Sequence, residues 1–148
     1  MAASPLGFVD TNVIIRYMTK DEPAMAEAAK RLFEQVELGT MAITTCEAVI
    51  TEVVHILSSK ALYNVPRAEI KKHLRNFLSM KGLKLANKSV YLRALDTYSS
   101  TNLDFVDALG IEQTKHEKLT LLWTFDEGIH KVVARMYPMI TPKAPACV

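Results

Sequence analysis

The chain has 148 residues, 49% of them hydrophobic, and a net charge of +2. That length and apolar content suit one ordinary domain with its own core, expected to span 1–148. No apolar run reaches the ~20 residues that cross a membrane, MAASPLGF lacks the regions of a secretory signal, and Cys46 and Cys147 give neither a disulfide framework nor a zinc spacing, so a cytoplasmic protein is expected.

Residues 6–10 read as a short buried strand within 7-GFVDTNVIIRYM-18, an apolar stretch interrupted by Asp10, Thr11 and Asn12. Pro23 suits a first helical position, and helical periodicity follows over 22–38 until Gly39. MAITT, 41–45, reads as a second strand, and 46–60 as a helix. Another helix starts at Pro66 and ends near Gly82. LKLA, 83–86, reads as a strand, and Asn87 caps a helix running to about 100. Residues 104–117 are helical again. LTLLWTF, 119–125, is the clearest buried strand, 126–136 a helix, and 138–141 a short edge strand before the loose tail PKAPACV. Strands alternating with helices predict an α/β fold with a parallel sheet covered on both faces. Such sheets bind ligands beyond the carboxyl ends of their strands.

The acids fall at those ends. Asp10 follows the first strand and Asp126 follows LTLLWTF. For either alone a helix N-cap is the simpler explanation. Glu52 is harder to explain structurally, because Val49, Val53 and Ile56 place it within an apolar stripe, where an unpaired carboxylate is costly. Its structural alternative is an edge position that reaches solvent. Asp104 and Asp107, three apart on one helix, share a face. Capping accounts well for Asp104, and a first-turn charge less well for Asp107. Converging carboxylates repel, and a divalent cation removes the repulsion. Oxygen-only donors select Mg²⁺ or Mn²⁺ over zinc. His55, His73, His116 and His130 are scattered and read as structural or surface residues. A hard cation with open water positions does phosphoryl chemistry.

Charge is unevenly distributed. Residues 60–93 contain Lys60, Arg67, Lys71, Lys72, Arg75, Lys81, Lys84, Lys88 and Arg93 against one acid, Glu69, and so carry +8 while the rest carries −6. A basic flank beside an acidic centre suits a polyanion. For 66-PRAEIKKHLRNFLSMKG-82 alone, a solvated helix face is the simpler reading.

The motifs FVDTNVIIRYM at 8–18, TEVVHIL at 51–57, LDFVDAL at 103–109 and WTFD at 123–126, in that order, resemble the PIN-domain ribonucleases, most closely the VapC toxins of toxin–antitoxin pairs. The resemblance implies a three-layer α/β/α sandwich with a central parallel sheet. It assigns Asp10, Glu52, Asp107 and Asp126 as catalytic, metal-binding acids. Asp104 matches an additional acid of some members, and Thr11, Asn12 and Thr124 would support the ligands from behind. It further implies Mg²⁺- or Mn²⁺-dependent cleavage of RNA leaving a 5′-phosphate, a homodimer, and a VapB-like antitoxin as partner. Lys71, Lys72 and Arg75 are candidate RNA contacts. A haloacid-dehalogenase-like phosphatase needs D-x-D, and position 12 is Asn. A receiver domain wants a strand-end lysine where Asp126 stands. A PIN nuclease that is not a toxin and a non-catalytic binding module on a PIN scaffold remain as alternatives.

Overall fold

Asp10 stands where the first strand stops and the first helix starts. In the computed structural model, which describes residues 5–146, β1 covers Leu6–Phe8 and α1 covers Thr11–Thr19. The stretch that reads as one core run is thus a strand, a two-residue corner of Val9 and Asp10, and a helix. Lys20 closes α1 in the left-handed conformation, its N–H bonded to the Arg16 carbonyl. Cys147 and the ends of both tails, residues 1–4 and 147–148, lie outside the described residues.

The chain divides into two compact units, Met1–Ala86 and Asn87–Val148. After α1, the first unit contains α2 (Pro23–Leu38), β2 (Ala42–Thr44), α3 (Glu47–Ser58) and α4 (Arg67–Leu78). Pro23 opens α2, and Gly39 ends it at φ 77°, a conformation that costs glycine nothing. β1 pairs with β2 in parallel, Phe8 opposite Thr44. The strand expected at 83–86 is reduced to a parallel bridge between Ile43 and Leu83. Gly82 explains the tight approach there. A Cβ on it would run into the Met41 carbonyl oxygen and lie 2.8 Å from that of Val36, so the backbone turns in there without a side chain. Phe33 anchors this unit's core, edge-on to Tyr17 at 4.8 Å and to Phe77 at 5.6 Å between ring centroids.

Two expectations about burial fail. In β1, Leu6 is 57% and Phe8 61% exposed, and Val9 just beyond the strand is the buried residue. Among the described residues β1 is hydrogen-bonded on one side only. LTLLWTF is likewise not buried: Leu121 is 39%, Trp123 56% and Phe125 73% exposed. It contributes only a three-residue strand bonded to one neighbour.

The second unit contains α5 (Lys88–Ser100), α6 (Phe105–His116), β3 (Leu121–Trp123), α7 (Glu127–Met136) and β4 (Thr141–Lys143). Asn87 precedes α5 as expected, but its side chain does not cap the helix; it supplies the left-handed turn at φ 58°. β3 and β4 are parallel, with Leu122 opposite Pro142. The last strand therefore begins at Thr141, not 138, and takes in the Pro142 and Lys143 expected to be loose. Pro142 is tolerated because the ladder bonds come from its neighbours, with Thr141 donating to the Thr120 carbonyl and Lys143 accepting from Thr124. No helix among the described residues is long and apolar enough to cross a membrane.

A buried acid that sequence patterning does not reveal braces this unit. Glu112 of α6 is fully buried. It accepts hydrogen bonds from Arg93 Nε and Thr97 of α5, both at 3.2 Å, and from the Tyr137 hydroxyl at 2.5 Å. Burial and the Glu112 contact push the Tyr137 phenol well above its ordinary range, keeping it a donor. Replacing Glu112 by Leu should cost about 2–3 kcal/mol, since it orphans three donors, whereas Glu112→Gln should cost roughly half of that. Urea unfolding of both variants measures the difference.

Candidate active site

In the first unit the ladder carries on past the last residue of β1. Val9 N–H donates to the Thr44 carbonyl at 2.9 Å, and the buried Thr45 hydroxyl donates to the Val9 carbonyl at 3.0 Å. The residue before Asp10 is therefore held on both its polar groups. Asp10 occupies the N-cap position of α1, yet its side chain makes no capping bond, and it is exposed. The capping explanation does not account for it. Thr11, 5% exposed, donates to Glu52 Oε2 at 2.6 Å. Glu52 stands beside the buried Val49 and Val53 but is itself exposed. It lies at the edge of its stripe, as the structural alternative anticipates, and Thr11 fixes its direction. Asn12 is exposed.

In the second unit Asp104 occupies the N-cap position of α6 without capping it, and Asp107 lies in that helix's first turn. Asp126 does cap α7, accepting from Ile129 N–H on Oδ1 at 3.0 Å. Thr124 supports it: its hydroxyl accepts from the Asp126 N–H at 3.0 Å, and its N–H is bonded to the Lys143 carbonyl at 3.0 Å. His130 Nε2 lies 3.1 Å from the Thr124 carbonyl, a structural role consistent with its expected one. The Asp107 carboxyl is raised above its ordinary pKa, first by burial, then by the charges of Asp126 and Asp104. Like charge is thus concentrated here.

Patterning misses two supporting residues. Thr45 reads as an ordinary strand residue, and only its bond to Val9 reveals its place. At Gly128 a Cβ would sit 3.0 Å from Asp126 Oδ1 and 3.4 Å from Leu103; the D-E-G sequence after a strand end was the available signal. On α4, Lys72 and Arg75 are exposed and Lys71 half-buried, opposite a buried face of Ile70, Leu74, Phe77 and Leu78. Among the described residues no group of three or more His, Cys, Asp or Glu side chains forms a ready-made metal cage. What Asp10, Glu52, Asp104, Asp107 and Asp126 share is chemistry: each offers carboxylate oxygens, the type that hard divalent cations take.

The sequence model of one family, the PIN domain, matches residues 7–135. The chain belongs to the PIN-domain family. PIN domains are generally nucleases, and all five acids described above fall inside the matched span. No curated protein sequence matches the chain. Family membership establishes the α/β class with parallel strands, which both ladders display.

The raised Asp107 pKa has a thermodynamic consequence. As pH climbs through the carboxylate range, the unfolded chain releases this proton before the folded one does, so stability falls and ionised Asp107 weighs against folding at neutrality. Asp107→Asn should stabilise the metal-free protein at pH 7 by on the order of 0.5 kcal/mol, and change little at pH 3, where the carboxyl is protonated in both states. Thermal melts in EDTA at the two pH values check this. A variant less stable at pH 7 would make Asp107 a simple helix-start charge.

Proposed function

We propose that this PIN-domain protein is a divalent-metal-dependent endoribonuclease, acting as the VapC-like toxin of a toxin–antitoxin pair. The observation that carries the reading is the PIN-domain match over residues 7–135, within which Asp104 and Asp107 stand at the start of α6 and Asp126 at the start of α7. Asp10 and Glu52 in the first unit and Asp107 and Asp126 in the second are the proposed donors, with Asp104 as an additional one. Mg²⁺ or Mn²⁺, when bound, activates water and offsets charge on phosphate oxygens.

The chain's own contribution is orientation. Thr11 aims Glu52. Ile129 N–H holds Asp126 Oδ1 while Thr124 fixes the backbone beneath it. Asn12, exposed one residue further on, is a candidate hydrogen-bonding group for water or substrate. The chain's basic segment supports a polyanionic substrate, with Lys71, Lys72 and Arg75 as proposed RNA contacts. A homodimer and a VapB-like antitoxin complete the proposal. It expects a short neighbouring reading frame whose product co-purifies with the chain.

RNA cleavage should disappear in EDTA and return with Mg²⁺ or Mn²⁺; full activity in EDTA overturns the metal assignment. Thr11→Val should cut cleavage roughly 10- to 100-fold, and Thr11→Ser should recover most of it, as measured by initial rates on labelled RNA. Lys72→Gln should reduce the slope of log K against log[salt] by roughly 0.7 for single strands. An unchanged slope assigns α4 to solvent.

A further inference from the structure

Phe125 is a large aromatic side chain, 73% exposed, immediately before Asp126. Exposed apolar residues are common on proteins. The backbone on either side of this one is firmly held. On one side Thr124 is bonded through its N–H to Lys143, through its hydroxyl to Asp126, and lies within reach of His130 through its carbonyl. On the other side Asp126 is locked as the cap of α7. The turn needs no aromatic for its own stability, because polar bonds make it. A ring is therefore displayed on a rigid support, next in sequence to the carboxylate proposed above as a metal donor. Presenting it costs little conformational entropy on binding. Lys143, whose Nζ lies 5.7 Å from the Trp123 ring centroid, adds a positive charge near this end of β3.

We infer that Phe125 is a stacking platform for an unpaired nucleobase next to the scissile phosphodiester, making it a specificity-determining residue for single-stranded over duplex RNA. The inference rests on the ribonuclease reading above. A planar ring recognises a base by its face, which is free in a single strand and covered in a duplex. Such stacking tolerates any sequence. It adds no phosphate contact, so it leaves the salt dependence alone.

The test compares the full-length wild type with Phe125→Ala, Phe125→Trp and Phe125→Leu, and with Met139→Ala, which removes another exposed apolar side chain (63% exposed) from the same unit. Binding of a fluorescently labelled, unstructured RNA is measured in EDTA by anisotropy, with KM and kcat measured in Mg²⁺. Phe125→Ala should weaken RNA binding roughly 5- to 50-fold with an unchanged salt slope, and raise KM more than it lowers kcat. Phe125→Trp should bind like the wild type, Phe125→Leu like the alanine variant, and Met139→Ala should change nothing. An abasic nucleotide scanned along the RNA should, at one position, weaken the wild type and leave Phe125→Ala unaffected. Wild-type affinity in Phe125→Ala, or a leucine variant as good as the tryptophan one, overturns the inference. So does unchanged RNA affinity with loss of self-association in sedimentation, which assigns the ring to a protein contact. A wild type that cuts RNA while Phe125→Ala behaves identically removes only this inference; a wild type that neither binds nor cuts RNA removes the ribonuclease reading with it.

Discussion

Carboxylates held at the starts of helices are the constraint around which this protein is organised. Asp10, Asp104 and Asp126 each occupy an N-cap position, where the helix offers unpaired N–H groups and a partial positive charge. Only Asp126 uses its side chain for capping. The other two forgo that bond, and the chain gives up part of the stability each helix start offers. A protein selected for stability alone would let all three cap. The cost is visible at Asp107, whose carboxyl is pushed toward its neutral form by burial and by its acidic neighbours.

What holds these acids in place is mostly threonine. Thr11 bonds Glu52, Thr45 bonds the carbonyl preceding Asp10, and Thr124 bonds the N–H of Asp126. A short β-branched hydroxyl suits such positions. Its χ1 is stiff, and its hydroxyl reaches one neighbour without spare length to wander. Thr45 and Thr124 bind backbone in this way, and Thr11 binds a carboxylate.

Much of this was legible in sequence, in a pattern with physical causes. Helices with terminal signals were readable to within a few residues: Pro23 and Gly39 bound α2, and acids open α6 and α7. The helix α1 was not, because Asp10, Thr11 and Asn12 look like an interruption of one apolar run when they are the N-cap and first two residues of a helix. Strand burial at Leu6, Phe8 and LTLLWTF does not follow from composition, since apolar content says that a segment can be covered and nothing about what covers it. Glu112 escaped notice because a lone glutamate on a helix reads as a surface charge, and its partners Arg93, Thr97 and Tyr137 lie 15 to 25 residues away in sequence. The acids proposed for chemistry stand out in the sequence by their order and spacing. The threonines behind them were only partly found, since a hydrogen bond across two elements leaves no local pattern.

The buried Glu112 has an evolutionary consequence. It lies five residues after Asp107 on the same helix, and its three donors fix how α6 is turned about its own axis. One residue inserted or deleted between them would rotate the acidic end by about 100° relative to that anchor. Either the anchor would lose its donors, or Asp107 would face a different direction. The stretch DALGIE at 107–112 can therefore accept substitutions but not changes of length, and relatives of this chain that keep both acids should differ there in residue identity while counting the same number of residues.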